Sequence, residues 1–190
     1  NAAGEHQLLA PFGGIGLESV VSSGIIAISR ADLEITERDL ELALETAEKA
    51  IPKASVLNKK IINTIPVEWK MDGKPAWGEV LGLKAQKLEV KALFIICLEH
   101  HLAELVKTIE EAGVEVVDVV AAPVAASFVT VSKKQRRVGC LFADIGAETL
   151  SVIVFENNNI VSLEVFPLGG ADITNDIALG LKISLEEAEQ

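Results

Sequence analysis

The segment over residues 138–155 carries the side chains with the clearest chemical potential. Asp144 ends an apolar run, and Gly146, two positions later, lets backbone amides turn toward an anion without obstruction by a Cβ atom. The Asp144 carboxylate can hold a metal-bound water beside a phosphate, while the amides of residues 146–149 and the Thr149 hydroxyl can donate to phosphate oxygens. An aspartate and a glycine at this spacing also occur by chance about once in a chain of this size, so an ordinary hairpin turn is an equal alternative.

The elements around this loop are predicted from runs of apolar residues. Such runs indicate three strands, over residues 138–143, 151–155 and 160–166. Gly169 and Gly170 precede a helix predicted over residues 174–181. Ser184 and Glu187 have the spacing of a capping box for a last helix. The loop is therefore expected at the tip of a hairpin that a third strand and a helix support.

Residues 19–112 have the pattern of a small α+β unit. Three strands are predicted in it, over residues 24–29, 56–69 and 88–98. Thr36 is a predicted N-cap, with Asp39 in the first turn, of an amphipathic helix that Pro52 closes. A second amphipathic helix is predicted over residues 100–112. Over residues 20–98 the order of the elements is therefore strand, helix, strand, strand.

The pattern changes after Gly113. A strand is predicted over residues 116–120, and Pro123 opens a short helix rich in alanine and valine. The basic residues 133–137 are predicted to form a solvated turn between two apolar elements, although such a cluster can also contact an acidic partner.

Composition excludes several classes of function. The chain has 190 residues, of which 49% are hydrophobic, so it has ample material for a buried core and is not intrinsically disordered. Its net charge of −11 disfavours nucleic acids and anionic membrane surfaces as partners. Aromatic residues make up only 4%, with no tyrosine, which disfavours a base-stacking surface. No apolar run has the length of a membrane span.

The remaining polar and reactive residues are better explained by structure than by chemistry. Cys97 and Cys140 lie in strand-like runs and are expected to be buried, reduced thiols. His100 and Glu104, four residues apart, can share a metal ion, but a solvated start of a helix is the preferred interpretation. The two tryptophans, at positions 69 and 77, flank a polar turn. Packing over the α+β unit is the preferred interpretation for them, and a contact surface is the alternative.

Four segments together identify a known family. In order, they are GIIAISRADLEIT, IINTIPVEWKMDG, GVEVVDVVAAPVAAS and VGCLFADIGAETLSVIVFENNNIVSLEVFPLGGADITNDIALGL. Their combination resembles the FtsA family of bacterial cell-division proteins, which are actin homologues. The resemblance extends over residues 15–190.

The resemblance implies a fold of the α+β and α/β classes. This is a partial actin-like (ribonuclease H-like) ATPase fold with the family's inserted strand-helix-strand-strand subdomain, called 1C or SHS2. The expected parts are a flexible leader or lobe remnant at 1–18, the inserted subdomain at 19–112, the end of the first lobe at 113–137 and the start of the second lobe at 138–190. The chain is then expected to be an internal piece of a longer protein, with one phosphate hairpin upstream and the adenosine-binding glycines downstream.

The resemblance also implies a cofactor site for ATP and Mg²⁺, weak or absent in this piece alone. Its residues are expected to be Asp144, which also serves the metal, with Gly146, Ala147, Glu148, Thr149, Gly169 and Gly170. No catalytic residue is assigned. The family commonly has a water-orienting glutamate where this chain has Ala122, and glycines where it has Ala147 and Glu148, a side chain expected to point away from phosphate. These departures favour nucleotide binding with slow or absent hydrolysis, so the complete protein is at most a weak ATPase.

The partners implied by the family are further copies of the protein in filaments, the tubulin-like FtsZ and other division proteins. The implied location is the cytoplasmic face of the cell membrane at the division site, reached through a membrane-targeting segment outside these residues. One alternative is a PilM-like protein of type IV pilus assembly, which has a similar DIGAE-type loop but lacks the S-R-A-D-x-E-I-T segment. The other alternative is a small-molecule kinase of the same superfamily, for which no residue here supplies a substrate base.

Overall fold

The computed structural model describes residues 7–189, whose strands gather into three sheets. In chain order the elements are β1 (Gln7–Phe12), β2 (Glu18–Ala27), α1 (Glu37–Lys49), β3 (Lys59–Met71), β4 (Lys74–Ala76), β5 (Lys87–Leu98), α2 (Glu99–Glu111), β6 (Glu115–Ala121), α3 (Ala122–Thr130), α4 (Lys133–Val138), β7 (Cys140–Ile145), β8 (Leu150–Glu156), β9 (Asn159–Phe166), α5 (Gly170–Leu181) and α6 (Leu185–Ala188). A short 3₁₀ turn, Lys53–Val56, lies between α1 and β3.

The three sheets differ in how their strands pair. The largest has the order β2-β5-β3-β4 and is antiparallel, with α1 packed on one of its faces. β1 and β6 form a two-stranded parallel sheet. β7, β8 and β9 form an antiparallel meander, which we call the hairpin sheet.

Strand β5 is buried on both faces and therefore takes part in both hydrophobic cores. Leu88, Val90 and Phe94 pack toward α1, whereas Leu93 and Ile95 point to the opposite face. This second core also contains residues of β1, β6, α2, α3, β8 and β9. Because successive side chains of a strand point to opposite faces, a continuous apolar run is what a strand between two layers requires.

Helix α1 approaches the large sheet closely at Gly24, in the middle of β2. A Cβ atom at this position would lie 2.2 Å from the carbonyl oxygen of Ala43 and 2.4 Å from the amide nitrogen of Ala47. Both alanines are completely buried. The glycine and the two alanines together allow backbone to meet backbone at the helix–sheet interface.

Asp39 organises the start of α1. Its carboxylate accepts hydrogen bonds from the Thr36 hydroxyl at 2.6 Å and the Thr36 amide at 2.8 Å, and it pairs with Arg30 at 2.5 Å between Nη2 and Oδ2. Arg30 also donates to the Glu34 carbonyl oxygen. The hydrogen bond from Arg30 is the main reason why the pKa of Asp39 lies well below its usual range, since burial acts in the opposite direction. The predicted N-cap at Thr36 is confirmed.

Three side-chain hydrogen bonds join the sheets to one another. Ser19 Oγ accepts from the Leu163 amide at 3.2 Å, and the Asn159 side chain donates to the Val67 carbonyl oxygen at 2.9 Å. Asn63 Oδ1 accepts from the Ala121 amide at 2.9 Å. These bonds attach the hairpin sheet and the β1–β6 sheet to the large sheet, with which both share the second core.

The predicted solvation of residues 133–137 is confirmed except at Arg136, but the prediction of a turn is wrong. The segment forms helix α4, which begins at a capping box in which Ser132 and Gln135 satisfy each other's backbone amides. Arg136 is buried rather than solvated. The aromatic rings that surround its side chain come from α3 and β8, so the basic composition of the segment gave no indication of burial.

Two other expectations differ from the structure or fall partly beyond it. The segment at 1–18 was expected to be a flexible leader or lobe remnant. Its residues 1–6 lie outside the described residues, and Gln7–Phe12 forms a strand of the parallel sheet.

Helix α5 begins at Gly170, four residues before the predicted start, because the Gly169 amide is capped by the Asp172 carboxylate at 2.8 Å.

We expect the substitution Gly24→Ala to destabilise the protein by about 3 kcal/mol, because the new methyl group would meet the backbone of α1 and force the helix away from the sheet. The free energy of unfolding is measured by urea denaturation. Gly180→Ala is the matched control. Its Cβ meets no atom within 4 Å and its position is helical, so the same substitution should stabilise by about 0.5–1 kcal/mol. Equal effects at the two positions would contradict the close approach at Gly24.

We expect Asp39→Asn to destabilise the protein at neutral pH and to have progressively less effect as the pH falls below about 4. The pKa of Asp39 is lower in the folded state than in the unfolded state, so its carboxylate stabilises the fold above the unfolded pKa. This stabilisation disappears as acid protonates the folded carboxylate. Urea denaturation at several pH values compares the variant with Glu41→Gln, which removes an exposed carboxylate of the same helix. A difference that persists unchanged at pH 2 would show that the charge of Asp39 has no role.

Candidate functional site

The turn between β7 and β8 coincides with the loop predicted from the sequence. The two strands pair in antiparallel register up to Ile145 and Leu150. The amide of Gly146 donates to the Thr149 carbonyl oxygen at 2.8 Å, which leaves residues 146–149 as the tip. None of these residues has a positive φ. Ala147 and Glu148 therefore occupy this backbone without the strain that side chains experience in the left-handed region.

Helix α5 is docked end-on against this turn. The amide of Gly170 donates to the Gly146 carbonyl oxygen at 2.9 Å, and the amide of Ala171 donates to the Ala147 carbonyl oxygen at 2.8 Å. The first amides of a helix have no partner within the helix and carry a partial positive charge. Here the carbonyl groups of the turn satisfy them, so the turn and the helix position each other.

Gly169 is the residue that makes this docking possible. A Cβ atom at Gly169 would lie 2.3 Å from the Ala147 carbonyl oxygen and 2.6 Å from the Glu148 amide nitrogen. At Gly170 the nearest atom to a Cβ would be the Gly146 oxygen at 3.7 Å, which is an ordinary contact. The two adjacent glycines thus differ, because only at Gly169 would a Cβ atom collide with the backbone of the turn.

The helix leaves several backbone amides of the turn without an acceptor. Among residues 7–189, no acceptor receives a hydrogen bond from the amides of Ala147, Glu148 or Thr149. The carboxylate of Asp144 likewise has no hydrogen bond or ion pair in the described part of the chain, and its side chain is exposed. Glu148 is exposed as well. Three amides without acceptors, close in sequence to a free carboxylate, can bind an anion together with a hydrated divalent cation.

The structure therefore brings the sequence-predicted site residues together, but it gives them two roles. The amides of Gly146, Gly169 and Gly170 already have acceptors, so these glycines shape the turn. The sequence reasoning missed Ala171 and Asp172, which hold the turn and cap Gly169. The signal for Asp172 was its position three residues after Gly169, the spacing of a capping carboxylate.

The start of α3 is the position where this chain was expected to lack a water-orienting carboxylate. Ala122 is the first residue of α3 and is half-buried. The Cβ atom of Ala122 lies 3.3 Å from the place that a Cβ atom on Gly13 would occupy. A methyl group at this site can neither orient nor deprotonate a water molecule.

Most of the other candidate residues have the structural role that was expected for them and not a chemical one. Trp69 packs against the core under α1, as expected, whereas the expectation of packing is wrong for Trp77, which is 86% exposed. His100 is exposed, and residues 7–189 contain no cluster of three or more metal-binding side chains. Cys97 and Cys140 are free thiols, the first buried and the second half-buried. Burial raises the pKa of the Cys97 thiol, and Lys60 opposes this effect.

Two family sequence models match the chain. The model described as "Cell division protein FtsA" matches residues 141–190, which include the turn and α5. The model described as "SHS2 domain inserted in FTSA" matches residues 14–96, which include the large sheet and α1. The matches fall on two different parts of the fold and point to the same family.

Curated relatives match nearly the whole chain. Cell division protein FtsA of Bacillus subtilis is 32% identical over 170 residues, which are 89% of this chain and 38% of the relative. Cell division protein FtsA of Pseudomonas aeruginosa is 27% identical over 186 residues, 97% of this chain and 43% of the relative. The chain thus spans less than half the length of these relatives.

A solved structure confirms the fold class. The PilM-PilN type IV pilus biogenesis complex contains a chain that superimposes with a TM-score of 0.54 at 18% identity, over 90% of this chain and 46% of that one. At this identity the likeness concerns the fold alone. The expected fold, a partial actin-like ATPase fold with an inserted SHS2 domain, is confirmed.

Among residues 7–189, no helix combines the length and the apolar character needed to cross a membrane. The two family models and the relatives all point to one family of cell-division proteins. The chain belongs to the FtsA family of bacterial cell-division proteins.

Proposed function

We propose that the chain is part of an actin-like, ATP-binding scaffold of bacterial cell division, and that the turn at residues 146–149 receives phosphate groups of the nucleotide. The observation that carries this proposal is the set of unused amides at Ala147, Glu148 and Thr149, presented by a turn that α5 holds in place. Membership of the FtsA family supports the class of protein.

Different groups of the turn are suited to the phosphates and to the metal ion of the ligand. The three free amides and the Thr149 hydroxyl donate hydrogen bonds to phosphate oxygens. Asp144 has an exposed carboxylate without a partner among the described residues, so it is suited to hold a water of a hydrated Mg²⁺ ion. When bound, magnesium neutralises phosphate charge. The exposed Glu148 carboxylate must point away from the phosphates, since like charges would otherwise weaken binding.

We further propose that hydrolysis is slow or absent. Ala122 offers no carboxylate or amide at the start of α3, so these residues supply no group there to orient an attacking water. The nucleotide would then act mainly as a ligand that sets the conformation of the scaffold.

In the complete protein, the proposed role is to polymerise and to link the division ring to the membrane, with FtsZ and other division proteins as partners. Family membership supports this proposal, while the likeness to the pilus complex at 18% identity supports only the fold. A polypeptide of the relatives' full length should form filaments on lipid vesicles when ATP is added. Binding of a pilus-protein peptide, or phosphoryl transfer to a sugar or acetate, would favour the alternative functions instead.

We expect Asp144→Asn to weaken Mg-ATP binding at least tenfold in a polypeptide that spans the full length of the relatives, because the neutral amide holds a hydrated cation poorly. Isothermal titration calorimetry gives the dissociation constant. Asp176→Asn, which removes another exposed carboxylate from α5, is the control and should leave binding within twofold of the unsubstituted protein. Unchanged affinity of the Asp144 variant would mean that the loop is only a turn.

We expect Gly169→Ala to destabilise the protein by about 3 kcal/mol and to reduce Mg-ATP affinity, because the added methyl group displaces the backbone of Ala147 and Glu148. Gly170→Ala is the matched control and should change both quantities little, since its Cβ makes only an ordinary contact with the Gly146 oxygen. Urea denaturation and calorimetry measure the two effects. If both variants behave alike, the turn does not depend on close contact with Gly169.

A further inference from the structure

Arg136 is a buried cation enclosed by aromatic rings. It lies on α4 and is only 6% exposed. The central carbon of its guanidinium is 4.7 Å from the centroid of the Phe128 ring, on α3, and 5.9 Å from that of the Phe155 ring, on β8. The two rings meet edge to face, with centroids 6.2 Å apart. Both distances from the guanidinium lie within the range of a cation–π contact.

The guanidinium has fewer hydrogen bonds than a buried arginine normally makes. Its Nε and Nη1 atoms are buried and have no acceptor among residues 7–189. Buried charged groups are usually paired with an opposite charge or fully hydrogen-bonded, because an unpaired one is costly to desolvate. In the described part of the chain the ring faces are therefore the contacts that stabilise this cation.

The position of Arg136 connects three elements that belong to different parts of the fold. α3 follows the β1–β6 sheet, and its Val124 packs in the second core. Phe155 belongs to the hairpin sheet, at the end of β8 away from the candidate site. The Arg136 carbonyl oxygen accepts from the Asn158 amide at 2.8 Å, which fixes the backbone of α4 to the turn between β8 and β9.

We propose that Arg136 is an adjustable clamp between α3 and the hairpin sheet. Hydrogen bonds weaken steeply when their angle changes, so a hydrogen-bonded ion pair here would fix one orientation of the two units. A guanidinium held by ring faces keeps its attraction while the rings shift by small amounts. The clamp thus holds the hairpin sheet beside α3 and tolerates small shifts of the two rings.

A double-mutant cycle in the 190-residue chain tests the contact. The variants are Arg136→Met, which keeps the length of the side chain without its charge, Phe128→Leu, and the two together. The single substitutions should be non-additive by about 5-fold to 30-fold in the unfolding equilibrium constant, the range for a partly to fully desolvated cation–π contact. Arg136→Lys retains a cation and should lie closer to the unsubstituted protein than Arg136→Met. Additive effects, or equal effects of Met and Lys, would overturn the proposal.

Hydrogen exchange tests the clamp as a conformational device rather than as simple packing. In Arg136→Met the amide of Asn158 should exchange at least tenfold faster than the change in global stability requires, because α4 separates locally from the hairpin sheet. The amide of Ala121, bonded to Asn63, is the reference and should follow global stability alone. Arg137→Met, at the exposed neighbouring position, should change neither amide. Parallel changes at Asn158 and Ala121 would show an ordinary core residue, and if Arg136→Met does not fold, Phe128→Leu provides the same comparison.

Discussion

The burial of β5 on both faces is the constraint on which the rest of the structure depends. One face of this strand supports α1 and so completes the inserted SHS2 domain. The other face lies in a core shared with the parallel sheet and the hairpin sheet. A polar side chain on either face would lack a hydrogen-bond partner, which explains the unbroken apolar sequence from Ala92 to Leu98. α3 and the hairpin sheet contribute side chains to this second core.

The candidate site adds a local constraint to this framework. The hairpin turn has few contacts of its own, and its geometry comes from the end of α5, which supplies donors to its carbonyl groups. This arrangement divides the polar groups of a four-residue turn into those that have a partner in the helix and those that have none. The carbonyl groups of Gly146 and Ala147 face the helix, and three amides stay free for a ligand. A short turn thereby acquires a defined direction without any glycine in the left-handed conformation.

The sequence predicted those features that local patterns encode. The helix cap at Thr36, the apolar runs of the strands and the aspartate–glycine loop all depend on residues close together in the chain. Features created by distant residues were missed. Arg136 is buried because Phe128 and Phe155 enclose it, and no charge pattern in its own segment reveals those rings. Likewise, the contact of Gly169 with Ala147 joins residues on either side of a hairpin, so the sequence suggested a ligand contact where the structure shows a packing glycine.

The hydrogen bond from the Leu163 amide to Ser19 has a consequence for the order of folding. It joins residues 144 positions apart, whereas the inserted domain pairs its strands over much shorter separations. Closing a long loop costs more entropy than closing a short one, so we expect the inserted domain to form before the hairpin sheet docks. During synthesis from the N-terminus, the part of the second core that the hairpin sheet completes stays exposed until β8 and β9 have left the ribosome. Over that interval the nascent chain exposes an apolar surface that a chaperone can bind.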